Sequence, residues 1–580
     1  MSPFPPLPDT PSTGSRFLRA ISADLWIVVW LSAALFAIFQ TGPMPLYSTR
    51  TLGVAWEMWS SGQFLVPYSN GEPYSHKVPL LFWLIHAGWA IGGVGDVWPR
   101  ILQVAFGLGV LLLARRLARV LFAETPLVGT LTPWLLAAFG YAFLFGLQIM
   151  YEVLLCLCVL AALNALVGRD PGQRPRFILF ALAVAAGLLT KGPVMLVHVA
   201  FPFLLGPLWH PWAAAERARW YTGGGLALLG GFAVLLAWAI PAAIIGGEAY
   251  RNELFFMQTA GRVVDSFDHA EPWWWYLRML PAMLIPWLLW PRVWQAIGMG
   301  IGAERGAGLR FIACWLIPVV VAFSLISGKQ IYYLLPEATA GAMLLAIGLA
   351  RLDQRVGKAP LVLGTWPLAL CLFAGALALF LLPGWVADGR VTSVWYVDLS
   401  AASAWFALIG FALGIAVLLA PRADGAAVKC VATVSIVSMA LFTALFAQTL
   451  WPRFDVRPAA RYVAALQAQG IEVAHHDIYH TQFQFAGRLV HPLTVLPLHG
   501  YEPWLDAHPD ARVVRYQKTL SALDLEHAEL VQPLRSDWLL IERAGSWAAR
   551  LRGESLPVPE TSALRYPQAY WPYMRLDAAP

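Results

Sequence analysis

Long apolar runs separated by short polar segments dominate the first 450 residues. A helix needs about 20 residues to cross the hydrocarbon core of a membrane, which is roughly 30 Å thick. Thirteen runs approach or exceed this length, so the pattern predicts an all-α, polytopic membrane module over residues 24–450 with about 13 transmembrane helices. The predicted spans begin near Asp24, Pro99, Leu127, Glu152, Phe177, Gly192, Tyr221, Tyr276, Leu309, Ile331, Pro360, Ala401 and Ala427.

One further apolar run, Leu80–Gly92, has only 13 residues, which favours a helix that lies in the membrane interface. If it lies flat and residues 1–23 form a cytoplasmic tail, eighteen of the 27 basic residues before Trp451 fall on the cytoplasmic side. The positive-inside tendency requires such a bias. This topology places a first outer loop at residues 42–98 and another at 247–275.

An odd number of spans also puts residues 451–580 on the outer face, which is the periplasmic side of a cell inner membrane. A helix-like stretch, Ala459–Gln469, is followed by three strand-like stretches, IEVAHHDIY, ARVVRYQ and DWLLIERA. Apolar residues rich in β-branched types and bounded by polar segments are typical of strands. The sequence therefore predicts a C-terminal soluble α/β domain.

Composition agrees with a membrane protein and excludes a soluble one. The chain of 580 residues is 59% hydrophobic and 13% charged, against roughly 25% charged residues in soluble domains, and its mean hydropathy is +0.61. The five cysteines all lie in apolar runs and form no disulfide or zinc spacing. We expect the membrane as a partner, no nucleic acid, and a monomer.

Three lysines stand at predicted span boundaries on the outer side: Lys77 in SHKVP, Lys191 in LLTKGPV and Lys329 in SGKQIYYLLP. A lysine near the apolar region is costly unless it extends to the interface or finds a partner. Each one alone fits such snorkelling. The three together favour an anionic ligand, and a phosphate on a long apolar tail suits ammonium groups at a membrane surface.

Other candidate site residues surround these lysines in the sequence. Glu152 opens an apolar run in LQIMYEVLLCLCV, where it either caps a helix or belongs to a functional site. Tyr332 and Tyr333 follow Lys329 and fit either an interfacial aromatic belt or a binding surface. His76 and His269, together with a carboxylate, are the candidate ligands of a divalent metal, although their spacing matches no metal motif.

Four motifs occur in order along the chain: TRTLGVAWEMWSSGQFLVPYSNGEPYSHKVPLLFWLIHAGW, LLTKGPVML, ELFFMQTAGRVVDSFDHAEPWWWYL and GKQIYYLLP. In this order they resemble the membrane-embedded GT-C glycosyltransferases, in the group of bacterial aminoarabinose transferase and the protein O-mannosyltransferase-like enzymes (family 39/83 type). The resemblance implies transfer of a sugar from a polyprenyl-phosphate carrier. The implied acceptor is a lipid (lipid A-like), a glycan or a protein on the outer face of the cytoplasmic membrane.

The resemblance also implies roles for individual residues. The relatives begin the first outer loop with an Asp, usually followed by Glu, where this chain has Tyr47 and Ser48, and they often have Glu where it has His76. A second acid, usually Asp, corresponds to Glu152. The residues that the resemblance assigns to the carrier phosphate are Arg50, Lys77, Lys191, Arg262, Lys329, Tyr332 and Tyr333.

Tyr47 in place of the acid bears on the chemistry, because a hydroxyl acceptor needs a general base. Three hypotheses follow. Glu152, or else Glu57 or Glu72, replaces the missing base; or the acceptor is already anionic and needs proximity more than a base; or the chain is a catalytically impaired accessory protein that binds polyprenyl phosphate. The candidate catalytic residues are Glu152, Tyr47 and Glu57, and no cofactor other than the metal is implied.

Overall fold

The structure is a computed structural model that describes residues 13–170, 172–255, 270–300, 306–357 and 364–554. Up to residue 450 the regular structure of these ranges is helical, apart from one short hairpin and an isolated bridge between Ala270 and Gly328. The helices of this membrane module are α1 (Thr13–Ile38), α2 (Ser48–Ser61), α3 (Leu80–Gly92), α4 (Val97–Leu121), α5 (Pro126–Ala137), α6 (Gly140–Gly146), α7 (Tyr151–Val167), α8 (Phe177–Lys191), α9 (Val194–Leu204), α10 (Gly206–Trp209), α11 (Pro211–Ala215), α12 (Arg217–Asn252), α13 (Trp275–Met283), α14 (Pro291–Gln295), α15 (Ala307–Leu325), α16 (Glu337–Val356), α17 (Trp366–Ala387), α18 (Val394–Leu399), α19 (Ala404–Leu418) and α20 (Asp424–Thr449).

Several of these helices are long and apolar enough to cross a membrane, so the protein is a multi-pass membrane protein. Within the described ranges five helices meet both criteria, and a sixth does if α5 and α6, which meet at a bend of 65°, form one span. The five are Val97–Leu121, Arg217–Phe255, Ala307–Leu325, Trp366–Ala387 and Asp424–Thr449. The count of thirteen stays a prediction.

Proline explains why one predicted span is not a continuous helix. The apolar run that begins at Tyr276 forms α13, which ends at Met283, then a 3₁₀ helix at Trp287–Leu289, and then α14. Pro286 and Pro291 fall in this stretch. Proline lacks a backbone N–H and clashes with the preceding turn, so it ends or kinks helices.

The C-terminal segment folds around a five-stranded sheet of order β4-β3-β5-β7-β6. A two-stranded hairpin of β1 (Tyr68–Ser69) and β2 (Glu72–Pro73) lies earlier, in the first outer loop. The other strands and helices are α21 (Arg457–Ala468), β3 (Val473–His476), α22 (Gln484–Gly487), β4 (Thr494–Leu496), α23 (Glu502–Ala507), β5 (Arg512–Gln517), α24 (Ala522–His527), β6 (Ala528–Leu534), β7 (Asp537–Arg543) and α25 (Ala544–Leu551).

Both faces of this sheet are covered. Alternate residues of a strand point to opposite faces, and Val514 joins a core with Val463 of α21. Its neighbour Val513 joins a second core with Leu505 of α23 and Trp547 of α25. The predicted helix corresponds to α21 and the three predicted strands to β3, β5 and β7, so these four predictions are confirmed.

Two strands of the five-stranded sheet, β4 and β6, were not predicted from the sequence. β6 contains Pro533, which argues against a strand in the middle of a sheet. The structure places β6 at an edge, paired only with β7, where a missing N–H is tolerated. β4 has three residues, too few to show an alternating pattern.

The C-terminal domain contacts α2 and the hairpin of the first outer loop. Trp56 Nε1 donates a hydrogen bond of 2.8 Å to the carbonyl oxygen of Leu489. Asn70 donates to the carbonyl oxygen of Leu493 and accepts from its N–H, both at 2.8 Å. A Cβ on Gly53 would come within 2.6 Å of the carbonyl oxygen of Thr481, so only glycine permits this approach.

Candidate active site

An ion pair between Glu152 and Lys191 lies at the centre of the candidate site. Lys191 Nζ donates to Glu152 Oε1 at 3.0 Å, and the two side chains are 14% and 8% exposed. Glu152 lies in the first turn of α7 and Lys191 in the last turn of α8. A helix favours anions at its N-terminus and cations at its C-terminus, so both charges occupy favourable ends of packed helices.

A second ammonium and two aromatic rings complete this cluster. Lys77 Nζ lies 5.1 Å from the centroid of the Tyr151 ring, close enough to Glu152 to interact electrostatically. Lys191 Nζ lies 4.3 Å from the centroid of the Tyr333 ring. Ring faces attract cations most strongly where water is excluded. Two ammonium groups around one carboxylate leave a net positive charge, which suits an anionic ligand.

Tyr47 faces the same cluster through Tyr332. The two rings meet edge to face with centroids 6.0 Å apart. Tyr332 in turn interacts electrostatically with Glu152. The centroid of its ring lies 5.2 Å from that of the Tyr333 ring. Tyr47 is 39% exposed, so its phenol reaches the open side of the site.

Ser48 and Arg50 follow Tyr47 at the start of α2. The Ser48 hydroxyl accepts a hydrogen bond of 3.1 Å from the N–H of Ile149, just before α7. Ser48 therefore ties α2 to the segment that leads into the helix of Glu152. The Nε of Arg50 is buried and has no hydrogen-bond partner among the described residues.

Lys329 points at the backbone. Its Nζ donates to the carbonyl oxygens of Ile326 (2.5 Å), Glu271 (2.7 Å) and Ser327 (3.4 Å), and the residue is 2% exposed. Burial lowers the pKa of Lys329, and the nearby Glu271 opposes that shift. Because an ammonium has three donors, Lys329 braces the turn that precedes Tyr332.

Glu57 lies at the hairpin of β1 and β2. It accepts hydrogen bonds from backbone N–H groups, whereas Glu152 pairs with a lysine. Its carboxylate accepts hydrogen bonds from the N–H groups of Asn70 (2.6 Å) and Gly71 (3.0 Å), which shape the turn between β1 and β2. Burial raises the pKa of Glu57, and these two hydrogen bonds oppose the rise. Its side chain lines a pocket of about 330 Å³ together with Tyr68 and His491.

The remaining predicted site residues are His76, Arg262 and His269. The ring of His76 packs against that of Tyr74, with centroids 5.1 Å apart. Arg262 and His269 lie outside the described residues. Within the described ranges no three His, Cys, Asp or Glu side chains are grouped to hold a metal ion.

Sequence reasoning missed three residues near the site. Tyr151 provides the ring beneath Lys77, and its position directly before Glu152 was the available signal. His198 and Glu337 form a buried pair behind Lys191 and Tyr333. No spacing in the sequence links residues 139 positions apart.

Comparisons with known proteins identify sequence relatives of about three fifths of the chain. No family model matches the chain. The undecaprenyl phosphate-alpha-4-amino-4-deoxy-L-arabinose arabinosyl transferase of Edwardsiella ictaluri is 28% identical over 384 residues, which cover 63% of this chain and 67% of that protein. The transferase of the same name from Pseudomonas aeruginosa is 31% identical over 374 residues, covering 61% of this chain and 64% of that protein.

The fold comparison spans nearly all of both chains. The crystal structure of ArnT from Cupriavidus metallidurans bound to undecaprenyl phosphate superposes with a TM-score of 0.69 at 18% identity, covering 92% of this chain and 99% of ArnT. The chain has the ArnT fold. The resemblance to GT-C glycosyltransferases drawn from the motifs is thereby confirmed. The sequence alignments span about two thirds of the relatives' lengths, whereas the ArnT fold extends through the C-terminal domain as well.

Proposed function

We propose that this protein is a glycosyltransferase that moves a sugar from an undecaprenyl-phosphate-type carrier to an acceptor at the outer face of the inner membrane. The observation that carries the proposal is the pair of ammonium groups, Lys77 and Lys191, beside the buried carboxylate of Glu152. The ArnT fold supports the proposal, because ArnT from Cupriavidus metallidurans has this fold and its crystal structure contains bound undecaprenyl phosphate. In this proposal the N-terminus is cytoplasmic, residues 451–580 are periplasmic, and the chain works as a monomer.

The leaving group sets the electrostatic demand of the reaction. The bond between the sugar's anomeric carbon and the phosphate oxygen breaks, the acceptor oxygen bonds to that carbon, and the phosphate gains negative charge. Lys77 and Lys191 stabilise that charge in a site from which water is largely excluded. Lys329 contributes by holding the turn of Tyr332 and Tyr333. Arg50 and Arg262 are further ligands in this proposal.

The acceptor is inferred from the acids and phenols in the described part of the site. Glu152 is engaged by Lys191, and Tyr47 stands where the resemblance places an acid. An acceptor that is already anionic needs no proton removed, so a phosphate oxygen of a lipid A-like molecule fits better than the hydroxyl of a glycan or protein. A metal held by His76 and His269 would add Lewis-acid assistance, and it is not required by this scheme.

A test uses the full-length protein in nanodiscs with a panel of polyprenyl-phosphate sugars, including the aminoarabinose carrier of the relatives. We expect release of polyprenyl phosphate that depends on a lipid A acceptor. Lys77→Ala and Glu152→Gln should each lower it at least about 100-fold, while the exposed Lys518→Ala serves as the matched control.

The same measurement distinguishes an enzyme from a catalytically impaired accessory protein. The accessory role is favoured by the presence of Tyr47 where the resemblance places an acid. An accessory protein binds undecaprenyl phosphate, and loses affinity on Lys77→Ala, without any turnover. If no sugar of the panel is transferred and Lys77→Ala changes nothing in cells, the enzymatic proposal is wrong.

A further inference from the structure

A buried histidine and glutamate face each other behind the candidate site. His198 Nδ1 lies 2.8 Å from Glu337 Oε1, and the two side chains are 0% and 2% exposed. Trp315 Nε1 donates to the same carboxylate oxygen at 3.1 Å. A buried polar pair costs desolvation, so it adds little net stability compared with apolar side chains of the same size. Stability alone therefore gives no reason for its presence.

The pair joins the two segments that carry Lys191 and Tyr333. Lys191 ends α8, Gly192 turns the chain with φ = 61°, and His198 lies in α9 directly beyond the turn. Glu337 begins α16, four residues after Tyr333. The hydrogen bond between His198 and Glu337 thus connects α9, which follows Lys191, to the start of α16, which follows Tyr333.

Aromatic packing connects the pair to the site as well. Phe323 of α15 lies between His198 and Tyr333, with ring centroids 5.1 and 6.2 Å away respectively. Glu337 also interacts electrostatically with the thiol of Cys156, which lies one turn after Glu152 on α7. The pair is therefore connected to the helix of Glu152 through Cys156, to Tyr333 through Phe323, and to Lys191 through the turn at Gly192.

We propose that His198 and Glu337 are positioning residues that hold the Lys191 ammonium over the Tyr333 ring. This proposal rests on the proposed function, because it assigns Lys191 to the carrier phosphate. Without the hydrogen bond, α9 and the 3₁₀ turn at Ile331–Leu334 are free to separate. The ammonium then moves away from the position at which it meets the phosphate.

A double-mutant cycle tests the proposal, because residues that act through one another show non-additive effects. His198→Ala should lower turnover about 10–100-fold, the cost of a misplacement near 1 Å, and weaken the binding of undecaprenyl phosphate several-fold. On a Lys191→Ala background the same substitution should change either quantity less than about twofold. Glu337→Gln keeps an oxygen that accepts from His198 and should stay within about threefold of the wild-type protein.

The control is another buried pair, Arg292 and Asp424, whose atoms lie 3.0 Å apart. Asp424→Asn should lower the thermal midpoint, and its effect on binding should multiply with that of Lys191→Ala. If the effects of His198→Ala and Lys191→Ala also multiply, or if His198→Ala changes neither quantity, the positioning role is wrong. If the wild-type protein shows no turnover while binding is still non-additive, the proposed function fails and the positioning role stands.

Discussion

Lys191 and Glu152 form an ion pair of 3.0 Å at the abutting ends of α8 and α7, in a place where each charge is largely removed from water. Breaking a buried pair by removing one partner leaves an uncompensated charge and costs about 3–5 kcal/mol. The pair therefore makes two separable contributions, one to stability and one to chemistry.

These contributions can be measured with three variants. Lys191→Met should lower the free energy of unfolding by about 3 kcal/mol, because Glu152 remains buried and charged. The double variant Glu152→Gln/Lys191→Met should regain most of that stability and still release no polyprenyl phosphate. Thermal unfolding in detergent and the release assay check both statements. A double variant as unstable as Lys191→Met would show that the pair is not the source of the stability.

Tyr47→Asp restores the acid of the relatives at the open side of the site. If the natural acceptor is an anionic phosphate, turnover with lipid A should stay the same or fall, because the new carboxylate repels it. Turnover with a hydroxyl acceptor should rise on the order of 100-fold, the usual contribution of a general base. Tyr47→Asn is the matched uncharged control. A large gain with lipid A itself would contradict our assignment of the acceptor.

Lys329→Met removes the donors of three carbonyl groups. An unsatisfied buried acceptor costs about 1–3 kcal/mol, so the turn at Ile326–Ser327 should loosen. The amide of Glu271, which donates to the carbonyl of Ser327 at 3.0 Å, should exchange its hydrogen at least about tenfold faster. Lys518→Met is the control. Lost carrier binding with unchanged exchange would mean that the ammonium of Lys329 binds the phosphate directly.

Several charged residues of the site can be predicted from the sequence, because a charge at the end of an apolar run is costly unless it has a partner or reaches the membrane interface. Glu152, Lys77 and Lys191 were predicted on that ground, and the structure brings them together. Lys329 had the same signal, yet its ammonium is turned to the backbone. Sequence shows that a buried cation needs partners, and it does not show whether they are a ligand or nearby carbonyl groups.

Glu57 and β6 show two other limits. Glu57 was a candidate replacement for the missing base, but its carboxylate oxygens accept hydrogen bonds from the backbone of a hairpin turn that begins 13 residues later in the sequence. Pro533 is unfavourable in the middle of a sheet, and the structure places its strand, β6, at a sheet edge. In both cases the deciding partner is distant in sequence or depends on which strand is outermost.

Gly53→Ala tests how tightly the C-terminal domain sits on α2. The added Cβ would come within 2.6 Å of the carbonyl oxygen of Thr481, and overpacking of this kind costs about 1–3 kcal/mol. We expect a lower thermal midpoint and faster proteolysis between the domains. Gly225→Ala, in a helix with open space around it, should be neutral or slightly stabilising. Equal effects of the two substitutions would contradict the close contact.

His475 makes the stability of the C-terminal domain depend on pH. Burial lowers its pKa to about 4, and its ring bonds the carbonyl of Asp477 and the hydroxyl of Tyr516. The folded state therefore stays unprotonated where the unfolded state, with a pKa near 6.5, takes up a proton. The contribution of His475 is complete above pH 6.5 and is lost as the pH falls toward 4.

Between pH 7 and pH 5 this effect amounts to about 2 kcal/mol. Melting curves of the full-length protein should show a drop in the thermal midpoint that is smaller in His475→Gln. The exposed His499→Gln is the control and should keep the full drop. An equal drop in His475→Gln would remove this residue as the cause.

The contact between Gly53 and Thr481 also fixes an order of events during biosynthesis. The two residues are 428 positions apart in the sequence, and a ribosome that adds 5–20 residues per second needs roughly 20–90 s to cover that distance. During this interval α2 has been synthesised while the residues that cover its Gly53 face have not. That face of α2, which lies in the same helix as Arg50, is therefore covered only after the C-terminal domain has been made and folded.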